Sequence, residues 1–70
     1  MDPLTKELVA IAASVAARCQ PCFDHHLKRA RELGGTESDI KEAISLADKI
    51  GQAGGQRMMD FIEVRIKGER

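Results

Sequence analysis

The 70-residue sequence has no tryptophan and no tyrosine, and its only benzene rings are those of Phe23 and Phe61. Alanine and medium-sized aliphatics must therefore fill whatever core it builds, although the hydrophobic class as a whole is an ordinary 43%. Charge of one sign is also missing, since eleven Lys and Arg balance eleven Asp and Glu. Nucleic-acid binding needs a basic excess, so no nucleic-acid partner is expected. The one basic cluster, Lys28, Arg29 and Arg31, has no aromatic residue beside it for stacking and reads as a solvated helix face. No alternating run of apolar and polar residues reads as a strand.

Long apolar runs are absent too. Leu8 to Ala17 (LVAIAASVAA) is half the roughly 20 residues that a bilayer requires. As a secretion signal it fails on its flanks, because Asp2 and Glu7 accompany Lys6, and Arg18 stands where a lipoprotein-type cleavage ahead of Cys19 needs a small residue. The expectation is a buried helix in a cytoplasmic protein without a membrane partner. At 7.7 kDa the chain is one domain, residues 1–70. A lone core of this size nets only about 3–5 kcal/mol, so a disulfide, a metal or self-association should support it.

Asp2 followed by Pro3 is a cap and first-turn signature, which predicts a first helix over 3–17. Leu4, Leu8, Ile11, Ala12 and Val15 form its main stripe, and Ala10, Ala13, Ala16 and Ala17 make the opposite side nearly as apolar. Such a helix needs cover on several sides, and partner subunits are the economical source. Pro21 is tolerable only in the first turn of a second helix, which places Cys19 and Cys22 at a helix N-terminus. Cys19, Cys22, Phe23, His26, Leu27, Ala30 and Leu33 then follow at helical spacing on one apolar face, with His25 at its edge and Gly34-Gly35 as the stop. Thr36 with Asp39 opens a third helix with Ile40, Ala43, Ile44, Ala47 and Ile50 inward. Gly51, Gly54 and Gly55 interrupt the pattern, and Met58, Met59, Phe61, Ile62 and Ile66 make a fourth helix before the charged tail from Lys67 to Arg70. The fold class expected is all-α, a compact bundle of about four helices assembled as an obligate homo-oligomer.

Cysteines three apart on a helix have Cα atoms about 5 Å from each other, within disulfide range. The helix N-terminus favours a thiolate, which by itself makes Cys19 the more acidic thiol. His26 lies one turn beyond Cys22, about 6 Å along the axis, which favours Cys22 instead. If the first two helices fold back antiparallel about Arg18, Glu7 lies roughly 6 Å past the level of His26. A chain Glu7, His26, Cys22 then has sensible geometry, with the glutamate holding the imidazole and the imidazole taking the thiol proton. Zinc is the chemical competitor, because Cys19, Cys22, His25 and His26 are all ligand types. A structural zinc site draws its second ligand pair from a separate segment, and the chain has no other Cys or His. No metal and no cofactor are therefore expected. Covalent haem needs His directly after the second cysteine, where Phe23 stands.

Glu7, eleven residues, Cys19-x-x-Cys22, three residues and His26 make a spacing that resembles the carboxymuconolactone decarboxylase superfamily, in its alkyl hydroperoxidase D-like branch. The similarity takes in the helix from Glu7 to Ala17 and the segment Gly35 to Ile40, and so covers roughly residues 2–55. Pro21 stands where the hydroperoxidase proper has a histidine. The resemblance implies an all-helical homo-oligomer, a trimer or hexamer, acting as a peroxidase or disulfide reductase. It implies that Cys22 attacks the peroxide, that Cys19 closes the disulfide, and that Glu7 and His26 relay protons. A peroxide or small disulfide is then the substrate, and a lipoyl or thioredoxin-like dithiol protein the electron donor. The alternatives are a non-catalytic oligomeric scaffold or redox sensor, a metal-binding protein, or lactone decarboxylase-type chemistry.

Overall fold

A computed structural model describes residues 1–68, which fold into three helices with no strand among them: α1 Pro3–Ala17, α2 Gln20–Glu32 and α3 Glu37–Lys67. Glu69 and Arg70, the end of the charged tail, lie outside the described residues. The α1 cap forms through Asp2, whose Oδ1 accepts the Thr5 backbone N–H at 2.9 Å while its Oδ2 accepts the Thr5 hydroxyl at 2.7 Å. The Thr5 backbone bond, with the hydroxyl second, holds the Asp2 carboxyl below its ordinary range. At α3 the Thr36 hydroxyl accepts the Asp39 N–H at 3.1 Å, and Pro3 occupies the first turn of α1.

Tight turns set the packing. Arg18 closes α1 in the left-handed region at φ 57°, and the Cys19 N–H reaches back to the Ser14 carbonyl at 3.0 Å. Only Arg18 and Cys19 separate α1 from α2, so the two helices fold back as a hairpin. Gly34 takes φ 86°, a conformation that L side chains rarely adopt. Gly35 sits where an added Cβ would come 2.9 Å from the Ala30 carbonyl oxygen and 3.0 Å from Leu4 Cδ1. These glycines bring the start of α3 against both α1 and α2. The core is small: Ile11, Ala30 and Ile40 are buried, with Leu4, Leu8, Phe23, Leu27, Ala43 and Ile44 packed around them. Ser14 is buried as well and donates its hydroxyl to the Ala10 carbonyl at 2.7 Å.

The count of four helices does not hold. Gly51, Gly54 and Gly55 stay helical, and the expected fourth helix is the second half of α3. Helical glycine costs about 1 kcal/mol relative to alanine but breaks nothing sterically. Side-chain bonds one turn apart brace the segment, from Gln52 to Asp48 at 2.8 Å and from Gln56 to Asp60 at 3.1 Å. Nor is the shape a compact bundle, because α3 runs on past the end of α1 and stretches the molecule to 52 × 21 × 20 Å. Ile50, expected to point into the core, is 64% exposed, because at ideal pitch it lies about 80° round α3 from Ile40 while Gly51 faces the end of α1. No helix among the described residues is long and apolar enough to cross a membrane.

The cluster Lys28, Arg29 and Arg31 lies on the exposed face of α2. Arg29 pairs with Glu32 at 2.9 Å, and Arg31 grips Glu37 with two bonds of 2.9 Å. Those bonds, ahead of simple charge attraction, raise the Arg31 pKa, and the same pairing lowers that of Glu37.

Candidate functional site

Cys19 is the N-cap of α2, extended at φ −102°, ψ 99°, and Cys22 is its third helical residue. The two sulfurs are bonded to each other across a Cα separation of 5.3 Å. This is the oxidised form of the pair, held in the two-residue link and the first turn of α2. The cap makes no side-chain hydrogen bond, so the helix opens without the oxygen acceptor that α1 and α3 both have. In the reduced form a thiolate at this end meets the helix's free N–H groups and the positive end of its dipole.

The two cysteines differ in their surroundings. Cys22 is exposed, 80° around the helix from Ala30 at the ideal pitch of about 100° per residue, and so lies at the margin of the apolar face rather than in it. Cys19 is half-buried and lines an open depression with Ser14, Val15, Phe23 and Ile44, whose rim carries Arg18 and Asp24. Cys22 is therefore the more exposed residue of the pair, and Cys19 the one beside an apolar hollow.

His26, one turn beyond Cys22, has Nδ1 2.7 Å from Oε1 of Glu7, nineteen residues earlier in the chain. The two side chains are 29% and 19% exposed. An ionised carboxylate can only accept, so in its bond to Glu7 the His26 ring donates from Nδ1. Residues at i and i+4 on a helix have Cβ atoms about 5–6 Å apart, so His26 and Cys22 lie on the same side of α2. His25 packs edge-on against His26, with ring centroids 4.8 Å apart. The arrangement brings together a bonded cysteine pair, a histidine one turn on that is hydrogen-bonded to a glutamate, and an apolar hollow beside Cys19. Among the described residues no group of three or more His, Cys, Asp and Glu side chains is placed to hold a metal ion.

A model of the carboxymuconolactone decarboxylase family matches residues 1–64. The chain belongs to this family. A relative from Paracoccus denitrificans, described as uncharacterized protein 4 in cox locus, is 40% identical over 47 residues, which cover 67% of this chain and 42% of that protein. The chain thus spans less than half the length of the curated relative that it matches. No solved structure matches it. Family membership and the cysteine pair are together compatible with redox activity.

Sequence pattern brought Glu7, Cys19, Cys22 and His26 to notice, and the fold sets all four around the α1–α2 hairpin. It did not single out the hollow. Val15 and Ile44 read as ordinary core positions and Arg18 as a plain turn residue. The signal was the two-residue link itself, which forces whatever caps α2 to sit over the end of α1.

Proposed function

We propose that this protein is a thiol-disulfide oxidoreductase of the alkyl hydroperoxidase D-like kind, reducing peroxides or small disulfides through Cys19 and Cys22. The observation that carries the reading is the 2.7 Å bond between Glu7 and His26, placed one helical turn from an exposed cysteine that is already paired with a second. A structural staple needs no oriented base beside it. The bridge is also a poor staple, since it closes across a single helical turn and constrains the unfolded chain little.

In the peroxidase cycle the Cys22 thiol loses its proton to His26 Nε2, and the thiolate attacks the terminal peroxide oxygen. The O–O bond breaks, the sulfur becomes a sulfenic acid, and the departing alkoxide takes a proton and leaves as alcohol. The Cys19 thiol then attacks the sulfenic sulfur, releasing water and forming the disulfide. An external dithiol, lipoyl or thioredoxin-like, reopens the bridge by two exchanges and is itself left as a disulfide. The exposure of Cys22 suits both the attack on peroxide and the approach of the donor. With a small disulfide as substrate, two thiol exchanges replace the peroxide steps, release two substrate thiols and leave the same bridge between Cys19 and Cys22.

The test is turnover of hydrogen peroxide, an alkyl hydroperoxide and small disulfides with dihydrolipoamide as donor, for wild type and Cys22→Ser. Turnover of at least one substrate that Cys22→Ser abolishes is expected. No turnover of any of them, or equal turnover by the variant, would overturn the reading in favour of a non-catalytic scaffold or sensor.

A further inference from the structure

The hollow beside Cys19 has a volume of about 530 Å³, within the range of about 300–1,000 Å³ of small-molecule sites. Val15, Phe23 and Ile44 give it apolar walls, and Cys19 sets one member of the bonded pair against them. Its rim carries one cation, Arg18, and one anion, Asp24.

Arg18 is unusual for its backbone. It closes α1 at φ 57°, ψ 41°, and among the described residues it is the one residue other than glycine with a positive φ. Glycine, and less often asparagine, usually holds such a position, because a Cβ makes left-handed backbone unfavourable. The side chain is exposed, so burial does not compensate. Nor does an ion pair, since Arg18 meets no carboxylate among the described residues. Asp48, which lines a neighbouring depression with Arg18, accepts from Gln52 at 2.8 Å instead. A guanidinium is thus held, at a cost to the turn, on the rim of the hollow and in the residue next to Cys19.

We propose that this hollow binds the substrate, and that the substrate is a disulfide or hydroperoxide on a short apolar chain whose far end is a carboxylate. The inference deepens the oxidoreductase reading and rests on it. The chain lies against Val15, Phe23 and Ile44, and the guanidinium takes the carboxylate through two parallel N–H donors. Asp24 repels the carboxylate, which fixes the end of the hollow that it occupies. One cation facing one anion on the rim suits a monoanion; a phosphate ester, with a charge of about −1.5 to −2, would need a second cation. Consecutive Cα atoms are about 3.8 Å apart, so a carboxylate held by Arg18 keeps the reacting bond within a short chain's reach of Cys19 and of the sulfur bonded to it.

With a disulfide, the Cys22 thiolate attacks one sulfur, the S–S bond breaks and one thiolate leaves. Cys19 then attacks the Cys22 sulfur of the mixed disulfide, closes the bridge and releases the second thiolate. With a hydroperoxide the products are the hydroxy acid, water and the same bridge. In each case the substrate gains the two electrons that the cysteine pair loses.

Binding and turnover are read separately, so that this inference and the oxidoreductase reading fail in different ways. Octanoate added to the oxidised wild-type protein should shift the NMR signals of Val15, Phe23 and Ile44. Octanamide should bind about fivefold more weakly, the size of a well-aligned exposed ion pair. Arg18→Asn suits the left-handed backbone, so it should melt no lower than wild type and yet lose the preference for octanoate; Arg18→Lys should keep part of it. For the reduced protein, the disulfide of 6-mercaptohexanoic acid should oxidise the cysteines about fivefold faster than the disulfide of 6-mercaptohexanol. That ratio should approach one in Arg18→Asn, and in wild type as NaCl rises from about 20 mM to about 500 mM. The same comparison between 6-hydroperoxyhexanoic acid and its methyl ester tells which reacting bond is used. Octanoate without effect on the hollow, equal binding of octanoate and octanamide, or a ratio that survives in Arg18→Asn would overturn the proposal. Octanoate binding as expected, with no disulfide or hydroperoxide able to oxidise the cysteines, would sink the oxidoreductase reading and the substrate assignment with it.

Discussion

Glu7 and His26 meet at 2.7 Å from two different helices, and the meeting depends on a link of only two residues between those helices. Arg18 in the left-handed region turns the chain, Cys19 caps α2, and the hairpin then sets a glutamate from the second turn of α1 against a histidine from the second turn of α2. The cysteines sit at the closed end of that hairpin, so their position and the histidine's are fixed by the same turn.

If His26 is the base and Glu7 its positioning residue, the two are one unit. His26→Ala should slow the oxidation of the reduced cysteines by peroxide about a hundredfold, the low end of what a positioned base contributes. Glu7→Gln keeps a hydrogen-bonding group but loses the charge, and should slow it about tenfold while moving the pH profile of the rate. The double variant should match His26→Ala alone, because glutamate acting through histidine has nothing left to act on. Stopped-flow measurement of thiol loss between pH 5 and 9 reads all three.

The core predicts where stability is concentrated. Ile11 is the one large side chain that is fully buried among the described residues, and Ile11→Ala should cost about 2–5 kcal/mol. That is as much as a core of this size supplies, so helical circular dichroism should show the variant largely unfolded at 25 °C. Gly35→Ala drives a methyl group toward the Ala30 carbonyl and Leu4, and about 1–3 kcal/mol is the expected loss. Gly54→Ala, in open space, should be neutral or stabilising in any variant that is held as a monomer.

Acid sensitivity should trace in part to the α1 cap. The Asp2 carboxyl is held below its ordinary 3.8, so its contribution is fully present above that pH and is lost as pH falls through the lowered value. Glu37, held below 4.5 by Arg31, behaves in the same sense. Asp2→Asn keeps a capping side chain without a titrating proton. Thermal melts from pH 6 down to pH 2 should therefore show a smaller loss of Tm on acidification for the variant than for wild type.

Local signals in the sequence were legible where their physics is local. Asp2-Pro3, Pro21 and Thr36 marked all three helix starts, and the stripe from Leu4 to Ile44 marked the core. The spacing of Glu7, Cys19, Cys22 and His26 was legible because helical pitch converts it directly into distance. The glycines misled because glycine weakens a helix without ending it. Gly34 stops α2 through a positive φ, while Gly51, Gly54 and Gly55 keep helical geometry, and composition does not separate the two cases. Ile50 misled because apolar character was read for phase: at ideal pitch it lies about 80° round α3 from Ile40, and Gly51 takes the position that faces the end of α1.

The central claim is that Cys19 and Cys22 are a working redox couple, and a thiol count after a single oxidation tests it most directly. Protein fully reduced and freed of reductant, then given one equivalent of an alkyl hydroperoxide, hydrogen peroxide or a small disulfide, should lose both thiols per chain to at least one of these oxidants within seconds. It should regain them with dihydrolipoamide, and Cys22→Ser should form no intrachain bridge. Two thiols per chain surviving all three oxidants would contradict the account.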